Sequence, residues 1–135
     1  MAKPVPVGAH GAAEETVEFR HTVQAIHPDL PPVYSTPDMI RLMETATHHA
    51  LQPYMEAGEV TVGTAINIEH RAPSFEGQRV RAEATLESSD GRFYVLRVIA
   101  RAGELEIGRG TVTRAVIDMQ RFLANPARKT AQKIP

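Results

Sequence analysis

Apolar residues change their spacing once along this chain, near Gly58. Before that point they recur every three or four residues, which predicts an amphipathic helix over residues 37–51. The helical stripe comprises Met39, Leu42, Met43, Ala46 and Ala50. After that point, apolar and polar residues alternate, which predicts strands at residues 60–68, 80–86, 93–100 and 105–117. A shorter alternation predicts one earlier strand over residues 15–24.

Short turn sequences connect the predicted strands. Ser-Asp-Gly at residues 89–91 and Ala-Gly at residues 102–103 are typical of hairpin turns, so neighbouring strands should be antiparallel. One strand, one long helix and four further strands predict an α+β fold, in which a curled sheet of about five strands wraps on one central helix. A chain of 135 residues suits a single domain. We expect an ordered core over about residues 15–120, with mobile tails at residues 1–14 and 125–135.

Composition narrows the possible partners and compartment. The formal net charge is −1 and the isoelectric point is about 6.6, which disfavours nucleic acid and anionic membranes as partners. Charged residues interrupt every apolar stretch, and the amino terminus lacks the apolar run of a secretory signal. The chain contains no cysteine, which suits a reducing compartment. We therefore expect a cytoplasmic protein.

The predicted helix carries an acidic residue beside its apolar stripe. Ser35 or Thr36 can cap the helix, and Pro37 suits its first position. Glu44 lies on the flank of the stripe, where a carboxylate can act as general base or nucleophile. The other interpretation is an exposed pair with His48, four residues further along.

A histidine ends the first strand after the helix. His70 has the same parity as Val60, Val62, Thr64, Ile66 and Ile68, so we expect it to face the core. It can be a proton-transfer group or a packed, hydrogen-bonded structural histidine. His48 and His49 are adjacent and diverge on a helix, so we expect no metal site.

Three segments resemble one enzyme family. They are residues 32–44 (PVYSTPDMIRLME), 62–70 (VGTAINIEH) and 108–116 (GRGTVTRAV). They are similar to the fluoroacetyl-CoA thioesterase-like family of hotdog-fold acyl-CoA thioesterases, over most of residues 15–120. The resemblance implies a hotdog fold that hydrolyses an acyl-CoA thioester to free acid and coenzyme A. It implies that Glu44 acts as base or nucleophile, that His70 transfers protons and that Thr36 orients Glu44 or water. It also implies substrate-binding roles for Gly63 and Arg114.

The same resemblance limits the substrate and the cofactors. Coenzyme A enters as part of the substrate, so no separate cofactor is expected. Residues 27–34 contain no phenylalanine, whereas fluoroacetate-specific members close their pocket with phenylalanines there. The resemblance therefore implies an acyl-CoA thioesterase and leaves the identity of the acyl group open. A non-catalytic acyl-CoA or small-ligand binding module is the alternative. A hotdog enoyl-CoA hydratase would share only the fold, because no matching Asp and His motif is present.

The spacing of the implied catalytic residues predicts a dimer. Eight residues separate Thr36 from Glu44, which is about 12 Å along one helix. We therefore expect no direct hydrogen bond between them inside one helix, and expect them to meet across a dimer interface or through bound substrate. A curled sheet with one helix also leaves strand edges unpaired. We therefore expect a homodimer.

Overall fold

The computed structural model describes residues 3–127 as one five-stranded antiparallel sheet with a long helix on one face. The elements are β1 (His10–Thr16), α1 (Thr36–Leu51), β2 (Glu59–His70), β3 (Arg79–Ser89), β4 (Phe93–Ala102), β5 (Leu105–Asp118) and α2 (Met119–Leu123). The strand order across the sheet is β1-β3-β4-β5-β2. The predicted α+β architecture with about five strands is confirmed. None of the helices in the described part of the chain is long and apolar enough to cross a membrane.

Helix α1 forms where the apolar stripe predicted it. Ser35 is the capping residue, and its Oγ accepts the backbone N–H of Asp38 at 3.1 Å. Pro37 follows in the first turn, where a missing N–H costs nothing. The stripe residues are at most 3% exposed because the helix lies against the sheet: Met39, Leu42, Met43, Ala46 and Ala50. Since Ser35 supplies the cap, the side chain of Thr36 is left for another contact.

The first strand lies earlier than its alternation predicted. Residues 15–24 were expected to form it, but β1 ends at Thr16 and short 3₁₀ turns follow at Phe19–His21 and Val23–Ala25. The N–H of Glu18 donates to His21 Nδ1 at 2.9 Å, so a local side chain replaces a strand partner. Phe19 is 48% exposed, as a turn residue can be. The alternating pattern alone does not show that the His21 side chain binds the backbone in place of a neighbouring strand.

The prediction of a mobile tail over residues 1–14 was wrong for residues 10–14. His10–Glu14 pairs with residues 81–85 of β3, so this part of residues 1–14 belongs to the sheet. Small residues are required here because β1 passes close to α1. A Cβ added at Gly11 would lie 2.8 Å from the Cα of Ala50. The Gly and Ala content that resembled a tail is therefore a packing requirement. Most of the predicted carboxyl-terminal tail, residues 128–135, lies outside the described residues.

Strand β2 contains an irregularity that changes which side chains face the helix. The register against β5 shifts between Gly63 and Ala65, so Thr64 is an extra residue. Before the shift, Thr61 is buried at 8% exposure; after it, Ile68 packs against the core. Parity is not continuous across the shift. His70 does face α1, but Ile66 is 45% exposed, against the expectation that these residues share the core side.

Candidate active site

The start of α1 and the end of β2 bring two of the expected residues together. Thr36 Oγ1 lies 2.8 Å from His70 Nδ1, at hydrogen-bonding distance. The contact exists because Ser35, not Thr36, caps the helix, and because β2 runs to His70. We call Thr36 and His70 the first half-site.

The imidazole of the first half-site is partly shielded from water. It lines a cavity of about 310 Å³ together with Tyr34, Thr36 and Ala72. Burial lowers the pKa of His70 below its ordinary value, and the nearby backbone of Ala72 opposes this shift. The ring is therefore neutral at pH 7 and can exchange a proton with substrate. Its Nε2 atom is buried and makes no hydrogen bond to any residue of the described chain.

A buried tyrosine fixes the chain just before Thr36. The hydroxyl of Tyr34 donates to Glu15 Oε2 at 2.5 Å, and Arg41 holds the same carboxylate at 2.7 and 2.8 Å. Tyr34 is 1% exposed, and burial together with Glu15 raises its pKa, so the hydroxyl keeps its proton. This network links β1 to the segment just before α1 and to the second turn of α1. Sequence reasoning missed it because the three residues are distant along the chain.

Glu44 meets an arginine instead of the histidine that follows it on the helix. Its Oε2 lies 3.7 Å from Nη1 of Arg114 on β5, and its side chain is 34% exposed. Arg114 is 7% exposed and donates to Thr61 Oγ1 at 3.0 Å and to the Thr61 carbonyl at 2.9 Å. Burial lowers the pKa of Arg114, and the nearby Glu44 carboxylate opposes this shift. The guanidinium stays charged at neutral pH. Arg114 therefore holds the Glu44 carboxylate toward β2.

Gly63 allows the Glu44 carboxylate to lie against the backbone of β2. A Cβ at this position would collide with Glu44 Oε2 and would lie 3.8 Å from Arg114 Nη1. Gly63 is also the cross-strand partner of Arg114, so the three residues meet at one place. We call Glu44, Gly63 and Arg114 the second half-site.

The second half-site opens to a small polar cavity of about 290 Å³. The residues that line it are all polar or charged: Arg41, Glu44, Thr45, His48 and Arg114. Burial lowers the pKa of His48, and the charges of Arg114 and His49 lower it further. His48 is therefore a neutral hydrogen-bonding group at pH 7.

The two half-sites are separate within one chain. Thr36 and Glu44 lie two turns apart on α1, about 12 Å along its axis. Seven residues of β2 separate Gly63 from His70, which is about 23 Å at 3.3 Å per residue. No hydrogen bond joins Thr36 to Glu44 among the contacts of residues 3–127. The structure brings Thr36 to His70 and Glu44 to Gly63 and Arg114.

Sequence reasoning missed the threonines that hold the arginine. Thr47 and Thr61 are 0% and 8% exposed, and Arg114 contacts both hydroxyls, at 3.4 and 3.0 Å. The signal was present for Thr47, a polar residue that continues the apolar stripe of α1 one turn after Met43, whereas the predicted parity of β2 places Thr61 on the face away from the core. Buried threonines of this kind point to an unseen hydrogen-bonding partner.

Comparison with known proteins identifies the family. The model for fluoroacetyl-CoA-specific thioesterases matches residues 14–120. The fluoroacetyl-CoA thioesterase of Streptantibioticus cattleyicolor is 38% identical over 136 residues, covering 96% of this chain and 98% of that protein. The chain belongs to the fluoroacetyl-CoA-specific thioesterase family. It is an enzyme of the acyl-CoA thioesterase class.

Solved structures of similar proteins have the same fold. A structure of the fluoroacetyl-CoA thioesterase has a TM-score of 0.86 at 37% identity, covering 98% of this chain and 100% of that chain. A thioesterase superfamily member from Thermus thermophilus has a TM-score of 0.87 at 28% identity, covering 96% of both chains. The predicted hotdog fold is confirmed.

Proposed function

We propose that this thioesterase hydrolyses a short, polar acyl-CoA in a site that two subunits build together. The observation that carries the proposal is the separation of the half-sites. Thr36 and His70 lie near one end of β2, and Glu44, Gly63 and Arg114 lie near its middle. Neither half-site alone brings Glu44 and His70 to one carbonyl group.

The free edge of β2 supplies a geometry that joins the half-sites. Within residues 3–127, β2 is hydrogen-bonded to β5 on one side only, and residues 63–67 are exposed. An antiparallel pair of β2 strands with its two-fold axis at Asn67, and with the extra residue Thr64 left out of the pairing, places Gly63 opposite the partner subunit's His70. Opposed residues in such a pair have Cα atoms about 4.5–5.5 Å apart. Each subunit of this homodimer thus completes the other's site.

The reaction then follows from the two half-sites. Glu44 attacks the thioester carbonyl or removes a proton from an attacking water molecule. The C–S bond breaks, and the partner subunit's His70 relays to the departing thiolate the proton that the attacking water gives up. If Glu44 attacks directly, water hydrolyses the resulting mixed anhydride, which restores Glu44 and supplies that proton. Thr36 orients that imidazole through the 2.8 Å contact, in place of the contact with Glu44 or water expected from sequence. Arg114 orients Glu44, and backbone amides near Gly63 stabilise the oxyanion, at about 2.7–4 kcal/mol per donor.

The lining of the cavity beside Glu44 supports a short acyl group with polar substituents. Its five lining residues can all form hydrogen bonds or carry charge, and the carbon stems of their side chains also face the cavity. A hydrocarbon chain would desolvate these groups without compensation. The Streptantibioticus relative is named for fluoroacetyl-CoA, which also carries a small acyl group. We therefore place two-carbon acyl groups with an electronegative substituent first among the substrates.

A substrate series tests this assignment. Thiol release is measured with acetyl-, fluoroacetyl-, butyryl- and octanoyl-CoA at equal enzyme concentration. We expect kcat/KM to fall by about tenfold or more from the two-carbon to the eight-carbon substrates, because about 1.4 kcal/mol of lost binding gives tenfold. A preference for octanoyl-CoA would refute the polar acyl pocket. Binding of CoA without thiol release from any substrate would instead favour the non-catalytic binding module.

A further inference from the structure

Two of the arginines within residues 3–127 differ from the others there in forming no close ion pair. Residues 3–127 contain eleven arginines, and nine of them have a side-chain nitrogen within 4.0 Å of a carboxylate oxygen. Arg92 and Arg121 are the exceptions within this part of the chain. Both are exposed; Arg92 interacts electrostatically with the nearby Asp90, and Asp118 lines the same cavity as both arginines, but neither arginine forms an ion pair within 4.0 Å in this part of the chain. They remain available to an external anion.

These two arginines line the same cavity. It has a volume of about 620 Å³, and its other lining residues are Val116, Ile117, Asp118 and Phe122. Phe122 is 49% exposed. The guanidinium of Arg92 also lies 5.6 Å from the ring centroid of Phe93. The cavity therefore combines two cations with an exposed aromatic ring.

The acidic residue of the cavity already has a local role. Asp118 is the capping residue of α2, and its Oδ1 accepts the backbone N–H of Arg121 at 3.0 Å. This contact ties the carboxylate to the backbone and leaves the Arg121 guanidinium unpaired. Asp118 thus shapes the turn that carries Arg121 and Phe122 into the cavity.

We propose that this cavity binds the 3′-phosphorylated ADP end of coenzyme A. Arginine side chains pair with phosphate oxygens, and an exposed aromatic ring provides a face on which a purine can stack. The proposal rests on the proposed function, because it assumes that the substrate is a CoA thioester. It assigns a binding role to residues that the hydrolytic chemistry does not use.

The position of the cavity suits the length of the substrate. Val116 follows Arg114 by two residues on β5, and Asp118 follows it by four. These separations are about 7 and 13 Å along the strand. The pantetheine arm, which joins the thioester to the diphosphate, can cross a distance of this order. One CoA thioester can therefore contact both the second half-site and the two arginines.

The double variant Arg92→Gln with Arg121→Gln tests the proposal against two substrates. Acetyl-CoA carries the nucleotide, whereas S-acetylpantetheine has the same thioester without it. We expect KM for acetyl-CoA to rise about tenfold or more with kcat unchanged, because charged hydrogen bonds to phosphate are lost. Kinetics with S-acetylpantetheine should not change. An unchanged KM for acetyl-CoA overturns the proposal and leaves the proposed function intact.

A matched control separates the site from general electrostatics. Arg97→Gln removes a cation from the same sheet, but Arg97 is paired with Glu87 and lies outside this cavity. Its KM for acetyl-CoA should stay close to that of the wild type. An equal rise in KM for Arg97→Gln and Arg92→Gln would refute a local site.

Direct binding makes the proposal independent of turnover. Adenosine 3′,5′-bisphosphate is titrated into the wild-type protein and the double variant by calorimetry. We expect about tenfold weaker binding by the variant, with binding by Arg97→Gln unchanged. Equal affinities for all three proteins overturn the proposal. If no acyl-CoA releases thiol, the proposed function fails, and this titration still decides whether the nucleotide site exists.

Discussion

Glu44→Gln is expected to lower kcat for a short-chain acyl-CoA by roughly 10²–10⁴-fold, the range for loss of a general base. The amide keeps the size of the side chain but removes the basic oxygen. Folding should be nearly unchanged, because Glu44 is 34% exposed and Arg114 keeps its hydrogen bonds to Thr61. The rate of thiol release measures kcat, and thermal unfolding measures the stability of the fold.

The control for this variant is a second carboxylate on the sheet. Glu87→Gln removes an acid that pairs with Arg97 on the surface of the sheet, and Glu87 belongs to neither half-site. It should turn over at the wild-type rate. A Glu44→Gln enzyme that does the same would remove Glu44 from the mechanism. The loss of stability in both variants should be small, since exposed ion pairs contribute about 0–1 kcal/mol.

Ile66→Lys is expected to convert the proposed homodimer into a monomer and to reduce kcat/KM by about 10²-fold or more, because the half-sites then lose their relative positions. Ile66 is 45% exposed at the centre of the free edge of β2. In the proposed pairing the two lysines would lie close together across the two-fold axis, where like charges repel. Light scattering and thiol release report assembly and activity on one sample.

Leu105→Lys is the matched control for the edge. Leu105 is 56% exposed at the turn between β4 and β5 and receives the same change from an apolar side chain to a cation. It should remain dimeric and active. If Ile66→Lys were monomeric and retained wild-type kcat/KM, each subunit would contain a complete site, contrary to our proposal.

The elements with a strong period could be predicted from sequence. The stripe of α1 repeats over four turns, and its burial against the sheet needs no information from distant residues. Alternation and short turns similarly located β3, β4 and β5, because hairpins depend on nearby residues. The resemblance in residues 32–44 and 62–70 then supplied Thr36, Glu44 and His70 as candidates.

The features that sequence did not reveal depend on contacts between distant residues. β1 was displaced because Gly11 reflects close packing on α1, which resembles a flexible tail in composition. The register shift beside Gly63 changed the faces of β2, and parity alone carries no sign of it. The Arg114 contacts with Thr47 and Thr61 span 67 and 53 residues. Each belongs to tertiary packing and not to a local pattern.

The shared site is the central claim, and complementation between two inactive variants tests it most directly. Glu44→Gln and His70→Gln are purified with different affinity tags, mixed so that subunits exchange, and assayed for thiol release. A heterodimer then has one site with both substitutions and one intact site. About half of randomly exchanged dimers are heterodimers, so we predict recovery of about a quarter of the wild-type activity. Confirmed heterodimers with no more activity than either variant alone would contradict the account.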